Sequence, residues 1–497
     1  MSNDNQNSAA QESVLLSTFY CGRKRFKLYF HRNQIVWDYA KPPYAQHSVS
    51  IEDVISVQYK CVSTGPGNDV AYDPYYFIIH YAEQKKPNVW RYNSLTLRHC
   101  DALQVSSWVK TLQNHLQKFC KRPKRLLLFV NPVGGKRRAM HIYERYAKPL
   151  FHIAGIDVSV IVSQRQNQIR DFLIHHNLDM FDSIACVGGD GTVSEVFNGL
   201  VMRECRLHGI DPDEAVAQLP RPSMPIGIIP AGSTDTIIYC LHGTTDVTTA
   251  VMNIILGDSL GLDLVSVHDD TRLLRLYASI LSYGYLGDIA HNSESFRWMG
   301  PSRYEYCGFK NIMANKGYNG EISILCDEDN IEQAKCCGRC DQCTSQQNGV
   351  SGGKKVDRWK TVRGKFFMIN AANISCACIR SPYGIAPYCH LGDGYLHLVL
   401  VRHTSLINNL RILSRYAKRT YTTDDLPFIE VHRAKEITFH ANDAVRSHWN
   451  CDGEVQHQSD IHARVHCQLI NVFTRGSTMA VDDESNNKCN FCRFCKI

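Results

Sequence analysis

Three short glycine-containing turns are the parts of this sequence whose residue types and spacing point most directly to chemistry. They are Asn131-Pro-Val-Gly-Gly-Lys136, Gly188-Gly-Asp-Gly-Thr192 and Pro230-Ala-Gly-Ser-Thr234. Each turn follows an apolar run and precedes a segment with helical spacing. Glycine lets the backbone approach a ligand closely, and the N–H groups at a helix N-terminus favour anions. One such turn is weak evidence, but three in series predict a nucleotide site.

The middle turn places a carboxylate, Asp190, among glycines of the kind that usually hold phosphate. Common phosphate motifs do not account for it. The P-loop pattern is absent, and Gly189 and Gly191 are followed by Ser194 where the dinucleotide fingerprint requires glycine. The set of protein-kinase motifs is absent as well. The sequence therefore indicates a nucleotide site of another type.

The segments around these turns alternate between strands and helices. Runs such as LLLFV and SIACVG have the continuous apolar character of strands buried on both faces. This alternation predicts an α/β nucleotide-binding domain with a parallel sheet over residues 121–262. Ligands of such sheets bind outside the carboxyl ends of the strands, which is where the three turns fall.

Two other regions flank the predicted α/β domain. Residues 14–120 read as several strands followed by one helix with an apolar face that includes Trp108, and this pattern resembles a pleckstrin-homology domain, a β-barrel closed by a C-terminal helix. Residues 263–478 read mostly as strands and predict an antiparallel β-sandwich. Residues 1–13 are predicted to be disordered, and residues 479–497 form a cysteine-rich tail.

The front domain has two open interpretations. Its basic residues Lys24, Arg25 and Lys27 could meet anionic headgroups and give peripheral membrane contact. Alternatively, they lie on a solvated hairpin, and the domain only packs on the rest of the protein.

Composition limits the compartment and the partners. The chain has 497 residues and a net charge of +7, a mild basic bias that suits phosphorylated substrates or membranes and predicts no nucleic-acid partner. The polar N-terminus lacks the features of a signal peptide, and no apolar run approaches the roughly 18 residues of a membrane span. With 21 cysteines, we expect reduced thiols and a cytoplasmic protein, peripheral on intracellular or plasma membranes.

The three turns, in order and followed by Asp452-Gly-Glu454, resemble the diacylglycerol-kinase catalytic family, which includes sphingosine and ceramide kinases. The resemblance spans about residues 124–475. Within that family the chain is most similar to the ceramide kinases, with IGIIPAGSTD, GDSL, NISCACIRSP, HLGDG and WNCDGE in common. The spacing of Cys336, Cys340 and Cys343 also fits the C-x-x-x-C-x-x-C of ceramide kinases.

The resemblance implies a two-domain lipid kinase that uses ATP and Mg²⁺, and it implies roles for particular residues. Gly188, Gly189, Asp190 and Gly191 would face the phosphates and the lipid headgroup, with Asp288 as a further headgroup contact or a turn cap. The residues implied to bind nucleotide are Asn131, Pro132, Val133, Ser163, Gln164, Arg165, Gln166, Asn167, Glu195, Gly232, Ser233, Thr234, Arg297, Arg303, Asp452, Gly453 and Glu454.

Asp190 would be the general base. Phosphoryl transfer needs positioning, charge neutralisation and a group that accepts the hydroxyl proton, and a carboxylate near the γ-phosphate can serve as that group. The alternative is that Asp190 only forms the turn or caps a helix.

The implied reaction transfers the γ-phosphate of ATP to the primary hydroxyl of ceramide, giving ceramide 1-phosphate. Sphingosine or diacylglycerol is the alternative acceptor. A different class of function, a lipid-binding scaffold with an inactive kinase domain, is the other alternative. The intact Asp190 and the full set of turns argue against that scaffold.

Three further features remain open. Cys336, Cys340 and Cys343 have spacings compatible with a structural Zn²⁺ site, or they form a redox-sensitive or merely structural cluster. The segment 406–418 is a basic amphipathic helix of the kind that binds calmodulin or membrane surfaces, or else a packing element. The cysteines of the tail are sites for S-acylation, or the tail is unstructured.

Overall fold

A computed structural model gives the structure of the protein over most of its length. It describes residues 15–39, 46–61, 75–135, 137–300, 302–326, 336–347, 358–379, 381–416, 426–442 and 446–477. The predicted disordered N-terminus and the cysteine-rich tail lie outside these residues, as do Lys136 and the side chain of Arg297.

The front domain is a seven-stranded antiparallel sheet with one helix packed on it, as predicted. Its elements, in chain order, are β1 (Leu15–Cys21), β2 (Lys24–His31), β3 (Gln34–Tyr39), β4 (Gln46–Ser50), β5 (Val54–Cys61), β6 (Tyr75–Lys86), β7 (Val89–His99) and α1 (Ala102–Leu116). In the sheet the strands lie in the order β4-β3-β2-β1-β7-β6-β5. Asp101 caps α1 by accepting the N–H of Leu103 at 2.8 Å. Trp108 of α1 is buried, and its Nε1 donates to Ser17 Oγ at 2.9 Å, which fixes the helix on the sheet.

The second region is an α/β unit with a parallel sheet, which confirms the prediction. Its strands lie in the order β11 (Ile226–Pro230), β10 (Ser183–Gly188), β8 (Arg125–Val130) and β9 (Asp157–Val162). All residues of β10 and β11 are buried, since helices cover both faces of the sheet. A π-helical turn at Tyr143–Ala147 joins α2 to α3. The elements are β8 (Arg125–Val130), α2 (Ala139–Ile142), α3 (Lys148–Ala154), β9 (Asp157–Val162), α4 (Gln168–His175), β10 (Ser183–Gly188), α5 (Asp190–His208), β11 (Ile226–Pro230), α6 (Thr236–His242) and α7 (Val247–Leu256).

The third region is an antiparallel β domain, also as predicted, and its described residues include four α-helices. Its strands are β12 (Ser259–His268), β13 (Leu273–Tyr277), β14 (Ile280–Gly284), β15 (Tyr318–Cys326), β16 (Arg358–Ala372), β17 (Leu396–Arg402), β18 (Ile429–Ala434), β19 (Glu436–Ala441), β20 (Trp449–Cys451), β21 (Glu454–Gln456) and β22 (Ile461–Phe473). Its helices are α8 (Tyr285–Ser293), α9 (Ser302–Ala314), α10 (Asp341–Gln347) and α11 (Leu406–Tyr416). Among all the helices described, none is both long enough and apolar enough to cross a membrane.

Strand β22 joins the α/β unit to the antiparallel domain. It runs antiparallel to β12 and β19, and near its end Val472 pairs in parallel with Ile226 of β11. The parallel and antiparallel strands therefore form one continuous sheet, and the end of β22 returns to the α/β unit.

The front domain is held on the α/β unit by charged contacts. Arg475, which follows β22, pairs with Asp53 of the front domain at 2.5 Å and with Asp258 at 2.7 Å. The ring of Trp90 lies under the same guanidinium, and its backbone N–H donates to Thr249 Oγ1 of α7 at 3.0 Å. Because Arg475 contacts both parts, it couples the front domain to the continuous sheet.

Candidate active site

The three glycine turns lie together at one edge of the parallel sheet, because parallel strands end on the same side. The N–H of Asn131 donates to Val187 O at 3.1 Å, and the N–H of Ala231 donates to Gly188 O at 3.0 Å. The turns after β8 and β11 are thus both bonded to the end of β10, which lies between them.

Glycine is required where these turns approach one another. A Cβ on Gly135, whose φ is +56°, would lie 2.5 Å from Ala231 O. A Cβ on Gly232 would lie 2.6 Å from the Cα of Gly189. The backbones of all three turns therefore pack closer to one another than a side chain at Gly135 or Gly232 would allow. Ser233 and Thr234, the next residues of the third turn, are exposed.

Asn131 shapes the first turn from within. Its Oδ1 accepts the N–H groups of Val133 and Gly134, both at 3.1 Å, and its Nδ2 donates to Thr192 Oγ1 at 2.9 Å. The side chain thus links the first turn to the helix that follows the second. Pro132 and Val133 lie at the tip of the turn, and Val133 is 66% exposed.

Asp190 is the first residue of α5, and its carboxylate is held by another helix. Oδ2 accepts the N–H of Thr236 at 3.1 Å, and Oδ1 accepts the N–H of Ile237 at 3.1 Å, so the side chain caps α6. Burial raises the pKa of the Asp190 carboxyl above its ordinary value, and the nearby Asp452 carboxylate adds to the increase, while the two N–H groups oppose it. The result is a fixed carboxylate of increased basicity.

The end of β9 supplies the segment 163–167. The N–H of Ser163 donates to Val130 O at 2.9 Å, which places the segment beside the first turn. Glu195, one turn into α5, accepts the N–H of Ile169 at 3.2 Å at the start of α4. Burial raises the pKa of Glu195. Through the bond to Ile169, Glu195 helps to position the segment that precedes α4, which consists of Ser163, Gln164, Arg165, Gln166 and Asn167.

The hairpin between β20 and β21 brings a carboxylate of the antiparallel domain, Asp452, near Asp190. Asp452 accepts the N–H groups of Ala278, Ser279 and Ile280 at 2.8–3.0 Å, together with the hydroxyl of Ser279. Gly453 follows with φ +88°. These bonds fix the hairpin against the turn between β13 and β14.

Glu454 reaches the α/β unit through an arginine. It forms an ion pair with Arg275 of β13, and the Nη2 of Arg275 donates to Ser194 Oγ on α5 at 2.8 Å. The chain Glu454–Arg275–Ser194 therefore ties the hairpin to the helix that begins with Asp190. Sequence reasoning missed Arg275, and it used Ser194 only to exclude the dinucleotide fingerprint. The single signal was an arginine within an otherwise apolar strand.

Comparison with known proteins identifies the family of this chain. A family model described as diacylglycerol kinase catalytic domain matches residues 125–267, and one described as ceramide kinase C-terminal domain matches residues 280–447. A ceramide kinase of Homo sapiens is 38% identical over 447 residues, covering 81% of this chain and 83% of that protein. The chain belongs to the ceramide kinase family.

Two other proteins are also similar to this chain. A ceramide kinase of Mus musculus is 36% identical over 487 residues, covering 88% of this chain and 91% of that protein. A crystal structure of a diacylglycerol kinase from Bacillus anthracis str. Sterne covers 71% of this chain and 97% of its own, with 15% identity and a TM-score of 0.48. The two family models and the two ceramide kinases confirm the family resemblance found in the sequence.

Two of the predicted site residues have their described contacts elsewhere, in the antiparallel domain. Asp288, in the first turn of α8, accepts hydrogen bonds from the hydroxyls of Tyr318 and Ser447. Arg303, in the first turn of α9, donates to Tyr304 Oη at 2.6 Å and lies over the ring of the same residue. Their roles at the headgroup and the phosphates stay predictions.

The predicted cysteine cluster gains a fourth member. The Sγ of Cys336 lies 3.9 Å from that of Cys340 and 3.8 Å from that of Cys343, and Cys340 Sγ lies 3.1 Å from Nδ1 of His390. The four ligand atoms all lie within 4.8 Å of one another. His390 is far from the cysteines in sequence, so spacing alone could not identify it.

Proposed function

We propose that this protein is an ATP-dependent lipid kinase that transfers the γ-phosphate of ATP to the primary hydroxyl of ceramide, giving ADP and ceramide 1-phosphate. The observation that carries the proposal is the fixed Asp190 carboxylate at the edge where three glycine turns meet. The choice of ceramide rests on the similarity to ceramide kinases along most of the chain.

Asp190 is suited to be the general base. The hydroxyl oxygen of the lipid bonds to the γ-phosphorus as the bond from that phosphorus to the β–γ bridging oxygen breaks, and the hydroxyl proton passes to the Asp190 carboxylate. Both oxygens of Asp190 already accept N–H groups, so the carboxylate does not have to reorient during the reaction. Its raised pKa makes it a better proton acceptor than an exposed aspartate.

The surface around Asp190 fits a nucleotide. The close approach of Gly135, Gly189 and Gly232 brings the main chain of the three turns together at one edge of the sheet, and main-chain N–H groups at the start of helices favour phosphate. ATP would lie against Asn131–Val133, the segment 163–167 and Gly232–Thr234, with the hairpin 452–454 closing the site. Mg²⁺, when bound with the phosphates, neutralises their charge, and the oxygens of Asp190 are ligands of the kind it prefers.

The proposal is tested with purified full-length protein, ceramide in detergent micelles and ATP labelled at the γ-phosphate. We expect ceramide-dependent transfer of the label to a lipid that keeps its acyl chain, and no transfer without Mg²⁺. Absence of label transfer to any of ceramide, sphingosine and diacylglycerol, despite lipid binding, would favour the scaffold alternative.

We further propose that Cys336, Cys340, Cys343 and His390 hold a structural Zn²⁺. Thiolates and imidazole in a Cys₃His set are common zinc ligands, and zinc–sulfur bonds of about 2.3 Å in a tetrahedron place two sulfurs about 3.8 Å apart. The observed Sγ separations of 3.9 and 3.8 Å fit that geometry. The site would tie the segment 336–343 to the loop that follows β16.

Metal analysis tests this second proposal. We expect about one zinc per chain in the wild type, its loss in Cys340→Ala, and its retention in Cys389→Ala, because Cys389 is a buried thiol outside the four-residue cluster. A wild-type protein without stoichiometric metal would rule out the site.

A further inference from the structure

Helix α9 exposes an apolar stripe on the side facing away from the protein. Tyr306, Phe309 and Met313 follow one another at helical spacing and are 46%, 60% and 54% exposed. On the opposite side, Cys307 and Ile312 are buried. An ordinary amphipathic helix turns its polar face to water, so this helix has apolar surface in excess of what its packing uses.

Helix α11 has the same arrangement. Its Ile407 and Leu410 are 78% and 45% exposed, whereas Asn409 and Ile412 are fully buried. The sequence predicts a basic amphipathic helix here, and the structure shows that both faces of this helix carry apolar residues.

The two helices lie side by side. Ile312 of α9 and Ile412 of α11 belong to one buried apolar cluster. Just after α9, Asn315 Nδ2 donates to Thr404 O at 3.1 Å, and Asn409 Nδ2 donates back to Asn315 Oδ1 at 2.6 Å. The two helices therefore share one buried cluster, and each carries its exposed apolar residues on the opposite face.

A tryptophan extends this apolar area. Trp298, in the 3₁₀-helix Glu294–Met299 before α9, is 82% exposed, the highest value among the large apolar side chains described. Phe296 of the same turn packs edge-on against Tyr306, with ring centroids 5.2 Å apart. We call the set Trp298, Tyr306, Phe309, Met313, Ile407 and Leu410 the α9–α11 surface.

The charges beside this surface are mainly positive. The two helices contain four basic residues against one acidic residue, Glu305. Lys310 and Arg411 are exposed and lie next to Phe309 and Leu410 in sequence. Aromatic and aliphatic side chains flanked by lysine and arginine are typical of segments that lie in the interface of an anionic membrane.

We propose that the α9–α11 surface inserts its apolar side chains into an anionic lipid bilayer, giving the kinase domain a membrane contact of its own, separate from the front domain. Positive charge complements the headgroups of such a bilayer, and an exposed apolar area of this kind marks an interaction site. The choice of a bilayer over a protein rests on the proposed function, because the lipid acceptor has to be taken from a membrane.

Vesicle binding tests the inference without any turnover. The double variant Phe309→Gln with Ile407→Gln is compared with wild type on vesicles of phosphatidylcholine, with and without phosphatidylserine, that contain no ceramide. We expect the double variant to bind the phosphatidylserine vesicles about tenfold more weakly or worse. A second variant, Lys310→Gln with Arg411→Gln, should lose most of the preference for phosphatidylserine. Its affinity for the phosphatidylserine vesicles should fall about fivefold for each charge removed.

The control is Leu207→Gln with Val216→Gln, since these side chains are 60% and 66% exposed but lie outside the surface. It should bind vesicles like wild type, and all variants should unfold at the wild-type temperature because the replaced side chains are exposed. Kinase activity on ceramide in detergent micelles should be kept by the Phe309→Gln, Ile407→Gln variant. The inference would be overturned if that variant bound vesicles like wild type, or if its micelle activity fell as much as its vesicle binding. Binding of calmodulin to this surface in place of vesicles would also overturn it.

Discussion

Replacing Asp190 by asparagine separates the role of a general base from that of a helix cap. Asparagine has the same shape, and its carbonyl oxygen can still accept one of the two N–H groups of Thr236 and Ile237. Losing the other bond costs about 0.5–2 kcal/mol of stability, whereas losing the base costs about 10²–10⁴-fold in kcat. The two effects differ in kind, because the first shifts the unfolding temperature and the second leaves the folded enzyme slow.

The assay combines initial rates at saturating ceramide with a direct measurement of ATP binding. For Asp190→Asn we expect kcat to fall by at least about 100-fold while ATP affinity stays within a few-fold. Asp235→Asn is the matched control, since Asp235 also holds a turn of the site by accepting a backbone N–H, that of Gly232 at 2.9 Å. A kcat of Asp190→Asn within about tenfold of wild type, or a loss no larger than that of the control, would refute the assignment of the base.

Three further outcomes follow from the same structure. In the proposed mechanism the ionised form of Asp190 accepts the proton, and the pKa of this carboxyl is raised. We therefore expect kcat/KM to fall at a higher pH than the value of about 3.9 of an ordinary aspartate; a pH–rate profile that stays level down to that value would contradict the mechanism. In Gly232→Ala the added Cβ would meet Gly189 at 2.6 Å and separate the turns, so the KM for ATP should rise about tenfold or more, and an unchanged KM would show that this approach is not needed. Burial lowers the pKa of three histidines to about 4, namely His242, His397 and His466. As the pH falls, these histidines take up protons in the unfolded chain at about pH 6.5 but in the folded protein only at about pH 4, so the free energy of unfolding should decrease between these two values. Denaturant titrations that show equal stability at both pH values would contradict the burial of these rings.

The sequence predicted those parts of the fold and site that depend on local pattern. The strands β8 and β10 read as apolar runs because helices cover both their faces, and that pattern identifies a parallel sheet. Once the sheet was predicted, the meeting of the three turns followed, since parallel strands end at one edge. The position of Asp190 among glycines identified the carboxylate at that edge.

The parts that the sequence did not predict depend on contacts between distant residues. Arg275 and Glu454 are 179 residues apart, and no spacing rule joins them before β13 and the β20–β21 hairpin are placed. His390 joins Cys340 from 50 residues away for the same reason. The pairing of Val472 with Ile226, which makes the sheet continuous, also depends on where the chain returns and not on the composition of β22.

Competition among lipid acceptors tests the central claim most directly. Equal amounts of ceramide, sphingosine and diacylglycerol in one micelle, with ATP and Mg²⁺, let the enzyme choose its substrate under identical conditions, and Asp190→Asn provides the background. We predict that ceramide 1-phosphate is the main labelled product of the wild-type enzyme. If sphingosine or diacylglycerol took most of the label, the assignment of ceramide as the substrate would be contradicted.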